Sequence, residues 1–148
     1  MKISMEPRRE SLGFLLADVS RMMRRAFQQR LDGSSLTLAE ARALVYVSRH
    51  EGVRQVDLAE LLEVQPITLA RLIDKLEQAK LVERRHDPAD RRAYQIFLTP
   101  DAAPQLDAIE KVVATIRAGA MRNFSKPQSA MVLSALRKMR DNIAAGQF

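Results

Sequence analysis

The residues best suited to binding a polyanion lie together in one short segment, Asp90-Arg91-Arg92. Turn-forming residues, Asp87-Pro88-Ala89, precede it, which predicts that both arginines lie at the tip of a β-hairpin. From such a tip a guanidinium group can enter a DNA minor groove, whose negative potential attracts arginine. Asp90 is expected to pair with Arg92 and to orient its guanidinium. The alternative is a charged hairpin edge that blocks strand addition and keeps the protein soluble.

A second set of such residues lies on the polar side of a helix that is predicted to begin at Pro66. The set consists of Gln65, Ile67, Thr68, Arg71 and Lys75. In a major groove Arg71 can donate two hydrogen bonds to guanine, and Ile67 can contact a thymine methyl group. Gln65 and Thr68 can donate to phosphates or bases. The alternative is the solvated side of an ordinary amphipathic helix, which Asp74 and Glu77 favour because carboxylates repel phosphate.

The composition argues against an enzyme. Cysteine is absent and only two histidines occur, His50 and His86, so thiolate chemistry is excluded and a histidine-rich metal site is not expected. Neither a glycine-rich phosphate loop nor a Ser-His-Asp set at suitable spacing is found. The sequence therefore predicts no catalytic residue, no metal and no cofactor.

The net charge favours a polyanionic partner without proving one. The chain has 148 residues, 24 basic and 18 acidic side chains, a net charge of +6 and a pI near 10.2. Residues 51–100, however, hold eight basic and nine acidic side chains, so DNA binding depends on where the cations lie. No apolar run is long enough to cross a membrane, and Asp18 and Arg21 interrupt the only stretch that resembles a signal peptide. We therefore expect a cytoplasmic protein that does not bind membranes.

Apolar periodicity predicts the elements that position these residues. A helix runs from Leu12 to about Asp32, and a second begins after Thr37 with Glu40 completing a capping box. Short helices at 55–63 and from Pro66 to about Lys80 form a helix-turn-helix, in which proline suits the first turn. Strands at 81–86 and around 94–98 form the hairpin. The expected fold class is mainly α with a small β-hairpin, a winged helix-turn-helix.

Two further amphipathic helices close the chain. The last begins at Ser125, with Gln128 completing its capping box. For the helix before it, Asp101 is the expected N-cap, because Pro104 then lies at the third helical position, where its missing N–H is not needed. A winged helix does not need three additional helices for its own core. The expected organisation is thus an N-terminal dimerisation helix (1–35), a DNA-binding domain (36–99) and C-terminal dimerisation helices (100–148).

Several motifs between Leu58 and Thr99 resemble one family. They are Leu58-Ala59, the segment 65–77, Leu81-Val82-Glu83-Arg84, and Asp87-Pro88-Ala89-Asp90-Arg91-Arg92-Ala93 ahead of Leu98-Thr99. This run resembles the multiple antibiotic resistance regulator (MarR) family of winged-helix transcription factors. The acidic-x-x-Asp-Arg-Arg segment is the most specific part of the resemblance. Two departures are the lack of glycine at Ala79-Lys80, after the fourth helix, and at 101–104.

The resemblance implies a homodimer that binds double-stranded DNA at a palindromic operator. It implies that Arg92 enters the minor groove with Asp90 as its partner, that Gln65, Thr68 and Arg71 face the major groove, and that Lys75 and Arg91 contact phosphate. Family members commonly respond to small aromatic or lipophilic effectors. Phe14, Met22, Met23 and Phe27 are candidate pocket residues, although the same side chains suit a core or a dimer interface.

The function predicted from the sequence is a ligand-responsive repressor. The main alternative is a winged-helix module that binds another protein and not DNA, which the slightly acidic middle third of the chain favours. An enzyme is the weakest alternative, for the reasons of composition given above.

Overall fold

The computed structural model describes residues 10–146, within which six helices and three strands are found. Residues up to Val113 form one compact unit, and residues from Ala114 onward form a second. The elements in chain order are α1 (Leu12–Leu31), α2 (Leu38–Arg49), β1 (Val53–Arg54), α3 (Gln55–Leu62), α4 (Pro66–Gln78), β2 (Val82–Asp87), β3 (Asp90–Leu98), α5 (Ala102–Ala120) and α6 (Lys126–Ala144). The mainly helical winged-helix fold class predicted from the sequence is confirmed.

Local capping chemistry sets the starts of several helices. At α2, the Thr37 hydroxyl accepts from the Glu40 amide and the Glu40 carboxylate accepts from the Thr37 amide, which is the predicted capping box. Pro66 occupies the first turn of α4, also as predicted. Short-range sequence signals were sufficient here because every partner lies within one helical turn.

The sheet has three antiparallel strands in the order β1-β3-β2. β2 and β3 form the predicted hairpin, which we call the wing (Val82–Leu98), and Pro88 and Ala89 make its turn. The short strand β1 was not predicted; it pairs Val53 with Ile96. Two residues carry too little periodicity to be recognised as a strand. β1 attaches the wing to the start of α3.

A single apolar core joins the helix-turn-helix to the wing. Its fully buried large side chains are Val47 and Leu44 from α2, Leu58 from α3, Leu69, Ile73 and Leu76 from α4, Val82 from β2 and Ile96 from β3. These are the apolar positions of the predicted helical and strand patterns. Because α4 buries three of them, its opposite side is fixed toward solvent.

The connection from α4 to β2 has a left-handed residue that is not glycine. Lys80 has a φ of 60°. Its amide donates to the Glu77 carbonyl at 2.9 Å, and its carbonyl accepts from the Thr99 hydroxyl at 2.5 Å. The chain therefore forms the left-handed cap without the glycine common in the family, at a cost in backbone strain.

The start of α5 agrees with its prediction. The helix begins at Ala102, so Asp101 lies immediately before it and Pro104 is the third helical residue. In the second unit, α6 has the predicted capping box between Ser125 and Gln128. Within residues 10–146, no helix combines the length and the apolar character needed to cross a membrane.

Helices α1 and α6 contain no buried residue. Both nevertheless carry large apolar side chains that are exposed in the single chain. On α1 these are Leu12, Phe14, Leu15, Leu16, Val19, Met22 and Met23, and on α6 they are Met131, Leu133, Leu136 and Ile143. Each helix therefore has an apolar surface that its own unit leaves uncovered.

Candidate nucleic-acid interface

The exposed side of α4 carries the side chains that were predicted to contact bases and phosphates. Ile67, Thr68, Arg71 and Lys75 are all exposed, and we call this surface the reading face. Ile67 is aliphatic, yet 64% of its surface is exposed to solvent. The three core residues on the other side of the helix determine this orientation.

The first turn of α4 is open to an incoming ligand. Gln65 is the N-cap residue, yet its side chain makes no capping hydrogen bond, so both the Gln65 amide group and the first N–H groups of the helix are available. Pro66 lacks an N–H and costs nothing at this position. A helix start of this kind attracts phosphate oxygens.

Four cationic side chains of the predicted site have no acidic partner. Among the ion pairs of residues 10–146, none involves Arg71, Lys75, Arg91 or Arg92, and all four side chains lie on exposed residues. Three neighbouring arginines, Arg54, Arg84 and Arg85, each contact a carboxylate. Within residues 54–92, Lys80 is the one further basic residue without an ion pair, so four of the five unpaired cations there lie on the reading face and at the wing tip.

Asp87 stabilises the turn of the wing. One carboxylate oxygen accepts from the Ala89 amide at 2.8 Å, and the other accepts from Arg54 Nε at 2.7 Å. The hydrogen bond from Ala89, followed by the charge of Arg54, holds the pKa of the Asp87 carboxyl below its ordinary value of 3.8, although partial desolvation acts the other way. Asp87 itself is buried, and Arg54 on β1 thus connects the wing to the base of α3.

The role expected for Asp90 needs a correction. Its carboxylate accepts from the backbone amide of Arg92 at 2.9 Å, and no ion pair joins it to the Arg92 guanidinium among the described residues. A carboxylate two residues before an amide closes a local turn more readily than it reaches the end of a long arginine side chain. Asp90 therefore fixes the backbone of Arg92 and leaves its side chain free.

A similar arrangement fixes Arg91. The His86 Nδ1 atom and the Arg91 carbonyl oxygen are 3.1 Å apart, and the His86 ring lies 4.8 Å from the Tyr94 ring between centroids. These contacts order the backbone at the tip. Both arginines are consequently presented from a rigid hairpin with exposed side chains.

Arg84 is the most highly bonded side chain of the site. Its guanidinium contacts Asp74 at 2.7 Å and Glu77 at 3.1 Å, and also donates to the Ala70 carbonyl at 3.0 Å and to the Gln55 side chain at 2.9 Å. Only 15% of the side chain is exposed. The two carboxylates that had counted against DNA binding therefore share one cation of the protein, which offsets half of their charge.

A cleft of about 230 Å³ lies beside Arg92. It is lined by Arg54, Gln55, Val56, Asp90, Arg92, Ala93 and Tyr94, so it separates the start of α3 from the wing. Of its two guanidinium groups, that of Arg54 is paired with Asp87, so that of Arg92 is the one available to a phosphate. No group of three or more histidine and acidic side chains that could hold a metal ion is present among residues 10–146.

Comparison with known proteins identifies the family. Residues 36–94 match the sequence model of the MarR family. The solved structure of the transcriptional regulator PA3341 is 33% identical, superposes with a TM-score of 0.78, and the match covers 91% of this chain and 99% of that one. The chain belongs to the MarR family.

Two further solved structures support the same assignment. A structure described as MarR is 26% identical, with a TM-score of 0.84 and coverage of 95% of both chains. BpsR of Bordetella bronchiseptica is 27% identical, with a TM-score of 0.72 and coverage of 90% of this chain and 96% of that one; its DNA binding is described as regulated by 6-hydroxynicotinic acid. This MarR-family protein is a DNA-binding transcriptional regulator with a winged-helix fold.

The candidate effector residues of this MarR-family chain differ in their burial. Phe14 and Met22 are exposed, Met23 is 36% exposed, and Phe27 packs against the core. A cavity of about 430 Å³ lies elsewhere, between α2 and the first half of α5. It is lined by Val45, Ser48, Arg49, Leu106, Asp107, Ile109, Glu110 and Val113. None of the four predicted side chains lines it.

Sequence reasoning overlooked two arginines of the site, Arg84 and Arg54. The sequence did carry a signal for Arg84. It lies two residues after Val82 on β2, and residues two apart in a strand face the same side of the sheet, which here is the side that faces α4. An arginine on an inward-facing strand position needs an acidic partner. The partner of Arg54 had no comparable signal, since Asp87 lies 33 residues away.

Proposed function

We propose that this protein is a homodimeric, ligand-responsive repressor that binds a palindromic operator. The observation that carries the proposal is the set of four exposed cations without acidic partners: Arg71 and Lys75 on the reading face, and Arg91 and Arg92 at the wing tip. Cations that are paired within the protein gain little from phosphate, whereas unpaired ones release counterions from DNA when they bind.

In this proposal α4 enters the major groove and the wing enters the minor groove. Arg71 donates to guanine, Ile67 contacts a thymine methyl group, and Gln65 and Thr68 donate to bases or phosphates. Arg92 reads the minor groove, while Asp90 orients the Arg92 backbone. Lys75 and Arg91 contact phosphate. Discrimination between sequences thus comes from α4, and much of the affinity comes from charge.

The dimer is proposed to form through α1, α5 and α6. Support comes from the exposed apolar side chains of α1 and α6, which a monomer would leave in water. A second copy of the same chain supplies a matching apolar surface by two-fold symmetry. On a palindromic operator, the two reading faces of such a dimer have to match half-sites about 34–36 Å apart. The corresponding organisation is 1–35 and 100–148 for dimerisation and 36–99 for DNA binding.

The proposal also includes regulation of DNA binding by a small aromatic or lipophilic effector. The cavity between α2 and α5 is lined by four apolar side chains together with Ser48, Arg49, Asp107 and Glu110. α2 also packs against α4 through the core, so an occupant can alter the position of the reading face. The residues predicted from the sequence to contact the effector are still Phe14, Met22, Met23 and Phe27.

Binding to the DNA upstream of the protein's own coding sequence tests the proposal. Arg71→Ala and Arg92→Ala are each expected to raise the Kd by about 5- to 150-fold, which corresponds to 1–3 kcal/mol. Arg85→Ala is the charge-matched control, because Arg85 contacts Glu83 and lies outside the reading face, the wing tip and the proposed dimer helices; its binding should stay close to that of the wild type. The measurement is fluorescence anisotropy over a range of salt concentrations.

Two results would contradict the assignment. If Arg71→Ala and Arg92→Ala both bind as tightly as Arg85→Ala, the reading face and the wing tip do not contact DNA. If the wild type ignores DNA and instead captures a protein partner in a salt-independent manner, the chain is the winged-helix interaction module.

A further inference from the structure

Arg84 links three elements that must keep a fixed arrangement on DNA. It projects from β2 of the wing, donates to the Ala70 carbonyl in the middle of α4, and donates to Gln55, the first residue of α3. Its backbone amide also donates to the Glu77 carboxylate at 3.1 Å. One residue thus joins the wing to both helices of the helix-turn-helix.

The same side chain changes the electrostatics of the reading face. Asp74 lies one helical turn after Arg71 on the exposed side of α4, and 57% of its side chain is accessible. Glu77 lies at the neighbouring edge with 43% accessible. Without a cation beside them, these carboxylates would present two negative charges close to the DNA phosphates and would weaken the attraction due to Arg71 and Lys75.

We propose that Arg84 is a positioning residue for DNA binding: it offsets part of the negative charge of Asp74 and Glu77 on α4 and holds α4, α3 and the wing in one arrangement, without touching DNA. The inference rests on the proposed use of α4 and the wing to bind DNA. It adds a residue that affects DNA binding without itself contacting DNA.

The geometry also explains why arginine serves here. Four acceptors surround the guanidinium: the Asp74 and Glu77 carboxylates, the Ala70 carbonyl and the Gln55 side chain. A guanidinium has five donors in a planar fork, whereas the ammonium of lysine has three at a single point. Arg84→Lys is therefore expected to keep the positive charge and to loosen the connection to α3.

The test is a thermodynamic cycle measured on DNA binding. Arg84→Ala is made in the wild type and in an Asp74→Asn/Glu77→Gln background, and each protein is titrated with the duplex from upstream of its own coding sequence. In the wild-type background we expect Arg84→Ala to weaken binding about tenfold or more, because the two exposed carboxylates lose the cation that offsets their charge. In the neutralised background we expect a clearly smaller loss.

Arg85→Ala is the matched control. It removes the same charge from the adjacent residue, which lies on the other side of the sheet, contacts Glu83 and stacks over the Phe97 ring at 4.0 Å. Its effect on DNA binding should be smaller than that of Arg84→Ala and equal in the two backgrounds. Circular dichroism shows whether each variant is folded, and if Arg84→Ala is not, Arg84→Met takes its place in the cycle.

Equal losses for the Arg84 variant in both backgrounds would overturn the inference, because a purely structural role or a direct phosphate contact predicts equality. A loss no greater than that of Arg85→Ala would overturn it as well. The proposed operator binding is judged separately from Arg92→Ala. If wild-type binding depends on Arg92 while the cycle shows no coupling, only the role of Arg84 fails.

Discussion

Replacing Lys80 by glycine should stabilise the protein. Lys80 follows α4 with a φ of 60° and is exposed. Its amide and carbonyl are both engaged, with the Glu77 carbonyl and the Thr99 hydroxyl. The backbone must therefore stay left-handed, whatever side chain is present. Glycine adopts this conformation without a steric penalty.

The expected gain is the difference between two opposing terms. A left-handed conformation costs an L-residue about 1–2 kcal/mol. The greater freedom of glycine in the unfolded chain costs about 0.5–1 kcal/mol. The net stabilisation for Lys80→Gly is therefore about 0.5–1 kcal/mol, and each kcal/mol raises the Tm of a chain of this size by about 2–4 °C.

Urea denaturation at one fixed protein concentration measures this effect. Lys80→Ala is the first control, since it removes the side chain and charge but keeps the strained backbone; it should leave the free energy of unfolding nearly unchanged. Ala79→Gly is the second, because Ala79 has a φ of −76° and gains nothing from glycine; it should destabilise by up to about 1 kcal/mol. If Lys80→Gly is no more stable than Lys80→Ala, the strain argument is wrong.

Three further outcomes are expected. Ile73→Ala should lower the free energy of unfolding by about 2–5 kcal/mol in urea, because Ile73 is fully buried; a smaller loss would mean that the core collapses around the site. Because folding lowers the pKa of Asp87, its carboxylate adds stability above the ordinary pKa of 3.8 and loses it as the pH falls through the folded value. The stability difference between wild type and Asp87→Asn should thus be constant near neutral pH and shrink in acid, and a pH-independent difference would refute this. Met22→Asp, on the exposed side of α1, should shift sedimentation toward the monomer, with Arg24→Asp as the control.

The fold was largely predictable because its signals are local. The caps at Thr37 and Ser125 are read from residues three positions apart, and the helices follow from apolar spacing. The turn at Pro88 locates the hairpin. β1 was not predicted, because a two-residue strand is defined only by its pairing with β3 at Ile96, and the surrounding sequence does not indicate that pairing.

The candidate site was predictable in its exposed residues and not in its supporting ones. The structure places Arg71 and Arg92 on exposed positions, as their pattern suggested, and their contacts with DNA stay predictions. The partners of Arg84 and Arg54 depend on tertiary contacts between residues distant in sequence. For Asp90, the prediction chose the side chain of Arg92, whereas a carboxylate two residues before an amide favours that backbone amide, which is its partner in the structure.

The alternation of β2 determines where the wing can change in length. Successive residues of a strand face opposite sides, so one residue inserted ahead of Arg84 would turn its side chain away from α4 and bring Arg85 or Glu83 to that side. An insertion at Pro88 and Ala89 leaves the paired stem unchanged. Engineered or natural variants of this regulator can therefore change in length at the turn, while the paired strands that carry Arg84, Arg91 and Arg92 keep theirs.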